Sequence, residues 1–201
     1  MINNSIITES LPVPELDRAE VLRYAGVRDS TPDAIALLED CIREAEGCLV
    51  YKACYRMLDI SHFDGGVDLG FATVNAPSVA DRLSGCNKII LFCATVGVGI
   101  DRLIAKYSVS SPARAIMMQA LGSERVEAVC DALCTRINEQ ILASGGSTTR
   151  RFSPGYGDLP LDLQRAIFDS LECYRRIGVS LGENLFMTPT KSVTAIIGVK
   201  M

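Results

Sequence analysis

A chain of 201 residues with 48% hydrophobic, 22% charged and 6% aromatic residues has the make-up of a globular protein with a full core. That composition excludes a disordered tail, a collagen-like repeat and a small disulfide scaffold. The net charge of −4, with no basic run longer than the pairs Arg150–Arg151 and Arg175–Arg176, argues against nucleic acid as a partner. In chain order, Ser5–Thr8 is short and β-branched and is expected as an edge or swapped strand, punctuated by Pro12 and Pro14. Glu15–Tyr24 reads as a helix stopped by Gly26. Thr31 and Pro32 form a helix start, as N-cap and first helical residue, and that helix should run to about Gly47. Leu49–Ile60 alternates as a strand, Asp64-Gly-Gly66 is a turn, Leu69–Thr73 is a further short strand and Ser78–Ser84 a short helix.

Lys88–Val96 is almost wholly apolar, so both of its faces should be covered. It leads through Gly97-Val-Gly99 into a helix to about Tyr107. Pro112 opens a long helix to about Leu142, with Gly122 as its weak point. Ser144–Thr149 is a polar linker, and Arg150–Asp162 has no periodicity. Leu161–Ile177 returns to helix and ends at Gly178, and Ser192–Val199 is a terminal β-branched strand. Helices and strands mix without a βαβ rhythm. An α+β fold is therefore expected, with a central, mainly antiparallel sheet flanked by helices in one domain over residues 1–201.

Several chemistries are excluded or weakened. His62 is the sole histidine, in a polar turn-like stretch, so no multi-histidine metal site can form within one chain. The eight cysteines include no pair with the two-residue gap of a zinc knuckle or redox motif, and most sit in apolar surroundings. They read as buried, reduced thiols. The N-terminus lacks the basic and apolar regions of a signal peptide, and the longest apolar run, Ile89–Ile100, is too short to span a bilayer. A cytoplasmic location with no membrane partner is expected.

Three places could carry chemistry. The strand–Gly97-Val-Gly99–helix could cradle an anion. A dinucleotide fingerprint, however, needs a third glycine where this chain has Arg102, so a tight strand-to-helix turn is the plainer reading. Glu124, Glu127 and Asp131 share one face of the long helix, either as a solvated surface or with one carboxylate turned to an ammonium or sulfonium. The segment Arg150-Arg-Phe-Ser-Pro-Gly-Tyr-Gly-Asp-Leu-Pro160 combines an arginine fork suited to a carboxylate, a stiffening Pro154, a permissive Gly155 and the flat Tyr156 ring. It is either a ligand loop or an ordinary ordered connection.

Arg151-Phe-Ser-Pro-Gly-Tyr156 resembles the Arg-x-x-Pro-Gly-Tyr signature of the activation domain of cobalamin-dependent methionine synthase. The stretch Met118–Ala128 is similar to the family's long helix ahead of that loop, and Leu185–Thr194 to the segment after it. Residues 88–199 thus resemble the S-adenosylmethionine-binding module, while residues 1–60 look like the N-terminal extension of the free-standing form. The resemblance implies a reactivation subunit that binds S-adenosylmethionine and positions it for reductive methylation of cob(II)alamin. The cobalamin would be held by a corrinoid-binding methionine synthase subunit, and the electron would come from a flavodoxin-like or other donor. It implies further that Arg151 holds the cofactor carboxylate, that Ser153 contributes a backbone contact, that Gly155 and Tyr156 make the next contacts, and that Glu127 is the acidic position near the cofactor. Where many fused members follow the tyrosine with proline, this chain has Gly157. A subunit capping a corrinoid protein without binding S-adenosylmethionine, and a reactivation subunit for a different corrinoid methyltransferase, are the alternatives.

Overall fold

The computed structural model describes residues 4–201; Met1–Asn3, at the start of the stretch read as lacking a targeting signal, lie outside the described residues. In chain order the elements are β1 (Ile7–Ser10), α1 (Arg18–Tyr24), α2 (Pro32–Glu46), β2 (Lys52–Asp59), β3 (Ser61–Phe63), β4 (Gly66–Asp68), β5 (Thr73–Val74) and α3 (Pro77–Arg82). Then follow β6 (Lys88–Thr95), α4 (Gly99–Ser110), α5 (Pro112–Ala143), β7 (Ser147–Thr148), α6 (Leu163–Leu171), α7 (Cys173–Ile177), β8 (Ser180–Leu181), β9 (Met187–Thr188) and β10 (Ser192–Lys200).

The main sheet has the order β1-β2-β6-β10-β7, with every pairing antiparallel. The expected α+β class and central antiparallel sheet are what the structure shows. Strand β6 is central: it pairs with β2 from Lys88 to Thr95 and with β10 over the same residues. Its side chains divide strictly between two cores. Ile90, Phe92 and Ala94 meet α1, α2, α4 and α5, whereas Ile89, Leu91 and Cys93 meet α3, α6 and α7. A run without polar alternation is stable in an antiparallel sheet here because helices cover both faces. Each fully buried Ile, Leu or Phe of this strand contributes about 1.5–3 kcal/mol relative to exposure.

Local chemistry explains the element ends. Thr31 caps α2 by accepting from the Ala34 amide at 3.3 Å, and Asp17 caps α1 by accepting from the Glu20 amide at 3.0 Å. Gly122 does not interrupt α5: a Cβ there would approach Ile100 and Lys191 at 3.0 Å, so the glycine admits close packing rather than weakness.

Three expectations need correction, and one hairpin was not expected. The helix read over Leu161–Ile177 is two, α6 and α7, broken at Glu172, whose φ of 51° is left-handed. The strand read over Leu69–Thr73 is instead the pair β4 and β5, because Leu69 and Ala72 close a turn (Leu69 N–H to Ala72 O, 2.9 Å). The Ser144–Thr149 linker contains β7, which adds to the edge of the sheet beside β10. The hairpin of β8 and β9 carries too little alternation to be visible beforehand. Among the described residues no helix is long and apolar enough to cross a membrane.

The Gly97-Val-Gly99 turn has a packing reason. A Cβ on Gly99 would collide with the Cys48 carbonyl oxygen, and one on Gly97 with the Val50 side chain. Gly99→Ala should therefore cost about 2–3 kcal/mol, read as a lower urea midpoint with an unchanged slope.

Candidate functional site

A cleft of about 360 Å³ opens at the β10–β7 edge of the sheet. Phe152 continues that edge by bridging Ile196, with its amide donating to the Ile196 carbonyl at 3.0 Å. The chain then leaves the sheet through Ser153–Pro160. The cleft is lined by Arg151, Phe152, Ser153, Tyr156 and Gly157 from this loop, Ser78, Val79 and Arg82 from α3, Glu127 from α5 and Val193 from β10.

The loop is tied internally and to α3. Gly155 donates to the Leu159 carbonyl at 2.9 Å, a closure that places Gly155 at φ 90°, where a side chain would be strained. The Asp158 carboxylate accepts from the Ser78 amide at 2.9 Å and also from the Ser78 hydroxyl. Those bonds hold the Asp158 carboxyl below its ordinary value near 3.8. Tyr156 is left 76% exposed, with its ring free to meet a ligand or partner.

Arg151 reaches from the loop across to α5. It donates to Glu127 Oε2 at 2.6 Å and, through its other terminal nitrogen, to Asp131. Burial works against its charge, but the Asp131 and Glu127 carboxylates outweigh it, so the guanidinium is held above its usual range. Two acidic residues of the expected helix face thus surround the arginine of the loop.

The third, Glu124, does something else. It forms a buried ion pair with its neighbour Arg125, with Nη2 to Oε1 at 2.6 Å and side chains only 5% and 4% exposed. Arg125 also donates to the Pro14 carbonyl at 2.9 Å and the Glu15 carbonyl at 2.7 Å, and Glu124 accepts from the Asp17 amide at 3.0 Å. The pair pins the entry to α1 onto α5. Beside it lies a depression of about 490 Å³ lined by Glu15, Asp17 and Glu20 together with Glu127 and Asp131, so Glu127 borders both hollows.

Of the residues marked beforehand, Arg151, Ser153, Tyr156 and Glu127 come together on the cleft. Gly155 does not line it; Gly155 shapes the loop from behind, against Leu161. Gly97 and Gly99 are not part of it. His62 is exposed on β3, with Nε2 3.2 Å from the Cys86 carbonyl oxygen. All eight cysteines are free thiols, and burial pushes Cys41 up to about 11 and raises Cys130 and Cys134 as well, which keeps them protonated. Among the described residues no group of three or more histidine, cysteine or acidic side chains could hold a metal ion. Ser78, Arg82, Asp158 and Arg125 were missed. Asp158 and Ser78 are 80 residues apart and no local pattern links them; the adjacent charges Glu124-Arg125 between the apolar Leu121 and Val126 were the one available signal for the buried pair.

The family model described as the vitamin B12 dependent methionine synthase activation domain matches residues 76–200. The match begins ahead of Lys88, so α3 falls inside it. A crystal structure of the MetH reactivation domain bound to AdoHcy superposes with a TM-score of 0.68 at 16% identity, covering 98% of this chain and 78% of that one. At that identity the likeness establishes the fold.

Arg125→Leu should cost about 3–5 kcal/mol in urea unfolding, because Glu124 would be left buried and unpaired; the double change to leucine at both positions should cost less. The Asp158 contribution, from a carboxyl lowered by folding, is present above pH 3.8 and lost as pH falls through the folded value. Asp158→Ala should speed amide exchange across Ser153–Leu159 at neutral pH, and wild type should approach the same rates only in acid.

Proposed function

The chain belongs to the activation-domain family of vitamin B12 dependent methionine synthase, and from that premise we propose that it is a reactivation subunit binding S-adenosylmethionine in the cleft at Arg151. The observation that carries this reading is the convergence of Arg151, Ser153 and Tyr156 with Glu127, from two segments distant in sequence, on one cleft. The residues fit the ligand's charges. The Arg151 fork suits the α-carboxylate, and Glu127, which borders the cleft, suits the ammonium or the sulfonium. Ser153 offers its backbone, Gly155 sets the course of the loop, and the exposed Tyr156 ring closes the open side.

Bound S-adenosylmethionine would supply an electrophilic methyl group. The acceptor would be cobalamin on a separate corrinoid-binding methionine synthase subunit, reduced by one electron from a flavodoxin-like donor before methylation. The chain's own residues bind and orient; no acid or base is required of them, which suits a cleft without histidine. Residues 1–60 would act as an N-terminal extension of the module at 88–199, since α1 and α2 pack on α5 and β1 on β2. The setting would be the cytoplasm.

Calorimetric titration of the purified chain tests this reading. S-adenosylmethionine should bind, ATP and NAD should not, and Arg151→Ala should lose about 2–4 kcal/mol of binding free energy. Absence of binding to wild type, or equal binding by wild type and Arg151→Ala, would overturn it.

A further inference from the structure

We propose that the Arg82 guanidinium, lying over the Phe152 ring, is the platform on which this cleft stacks a purine. The proposal rests on the reading of the cleft as an S-adenosyl site and names the part of the ligand that α3 recognises.

Arg82 closes the last turn of α3, with Cζ 5.3 Å from the centroid of Phe152. Phe152 is buried and tied to the sheet by its bridge to Ile196, so the surface beneath the guanidinium is anchored to β10. Among the described residues Arg82 has no carboxylate partner. This separates it from Arg151, whose charge is met by Glu127 and Asp131. The cleft therefore has two unlike ends. Around Arg151 one guanidinium meets two carboxylates, so groups of both signs face the cleft, as a zwitterionic amino-acid group requires. Around Arg82 the lining is Val79, Phe152 and a planar cation with an exposed face.

A guanidinium already stacked on an aromatic ring presents a flat, weakly hydrated face, and a purine is the flat π-system of an S-adenosyl ligand. The opposite wall supports the same assignment. The loop bearing Tyr156 is locked to α3 by Asp158 and Ser78, so the separation between platform and loop is held by hydrogen bonds. Gly157 takes a left-handed φ of 63°, a turn that a side chain would strain, and so sets the path of the loop beside Ser78.

The test compares two probes, S-adenosylhomocysteine and 5′-methylthioadenosine, by calorimetry on wild type, Arg82→Leu, Arg82→Lys and Arg151→Ala. The second probe has the purine and no carboxylate. Arg82→Leu should weaken both probes by a similar factor, about tenfold. Arg82→Lys should behave as Arg82→Leu does, because it keeps the charge and loses the plane, while Arg151→Ala should weaken only S-adenosylhomocysteine. The platform is overturned if Arg82→Leu leaves 5′-methylthioadenosine binding unchanged. It is also overturned if Arg82→Lys binds as wild type, which would make Arg82 a point charge for an anion. If wild type binds neither probe, the S-adenosyl reading fails with it, a result seen before any variant is compared. Arg82 is exposed, and thermal unfolding of both variants should match wild type.

Discussion

Strand β6 has no side that tolerates water. Ile89, Ile90, Leu91, Phe92 and Cys93 are all fully buried, and a strand of that kind requires cover on both faces of whatever sheet contains it. The chain meets the requirement with α5 and its neighbours on one face and α3, α6 and α7 on the other. Two helical layers around a five-stranded sheet leave the edge beyond β10 as the place where elements from both layers come within reach of each other. The cleft forms there: Glu127 is contributed by one layer, Ser78 and Arg82 by the other, and the loop after Phe152 runs between them. The site is thus a consequence of how a central apolar strand is wrapped.

Three carboxylates on α5 show how burial, more than spacing, assigns roles. Glu124, Glu127 and Asp131 repeat on one face, but Glu124 lies beneath the N-terminal segment, where an unpaired charge would be costly, and Arg125 neutralises it while binding the Pro14 and Glu15 carbonyls. Glu127 and Asp131 are more exposed and turn to Arg151. Pairs as exposed as these contribute little to stability. Their effect is on geometry: they draw the arginine of an aperiodic loop to a defined place on a rigid helix.

The strong elements were legible because their signals are local. Thr31-Pro32 announces α2, the apolar run announces β6, and Pro112 announces α5. The loop at Arg151–Tyr156 stood out by its chemistry alone. What could not be read depends on contacts across long separations. The contact between Ser78 and Asp158 is one such case, and the stacking of Arg82 on Phe152 is another. The break at Glu172 is different: a non-glycine residue takes a left-handed conformation inside a helical pattern, and periodicity has no term for it. The Gly97-Val-Gly99 turn was ambiguous for the opposite reason. Glycines that receive phosphate and glycines that receive Cys48 and Val50 look alike until the neighbours are placed.

An arginine already held by two carboxylates could be thought unavailable to a third. The donor inventory says otherwise. A guanidinium carries five N–H groups. Glu127 takes a bond from Nη2 and Asp131 one from Nη1, and the Cys134 thiol is a further partner, which still leaves N–H groups for a ligand. An incoming carboxylate can therefore bind without displacing either partner. The two resident carboxylates also shape preference, because they cancel the attraction a bare arginine would exert on any anion. A ligand bearing a carboxylate alone meets repulsion from Glu127 and Asp131, whereas one that carries a cation beside its carboxylate meets complementary charges on both counts. On the proposed reading this is how the cleft would distinguish a zwitterionic sulfonium compound from the simpler organic acids around it.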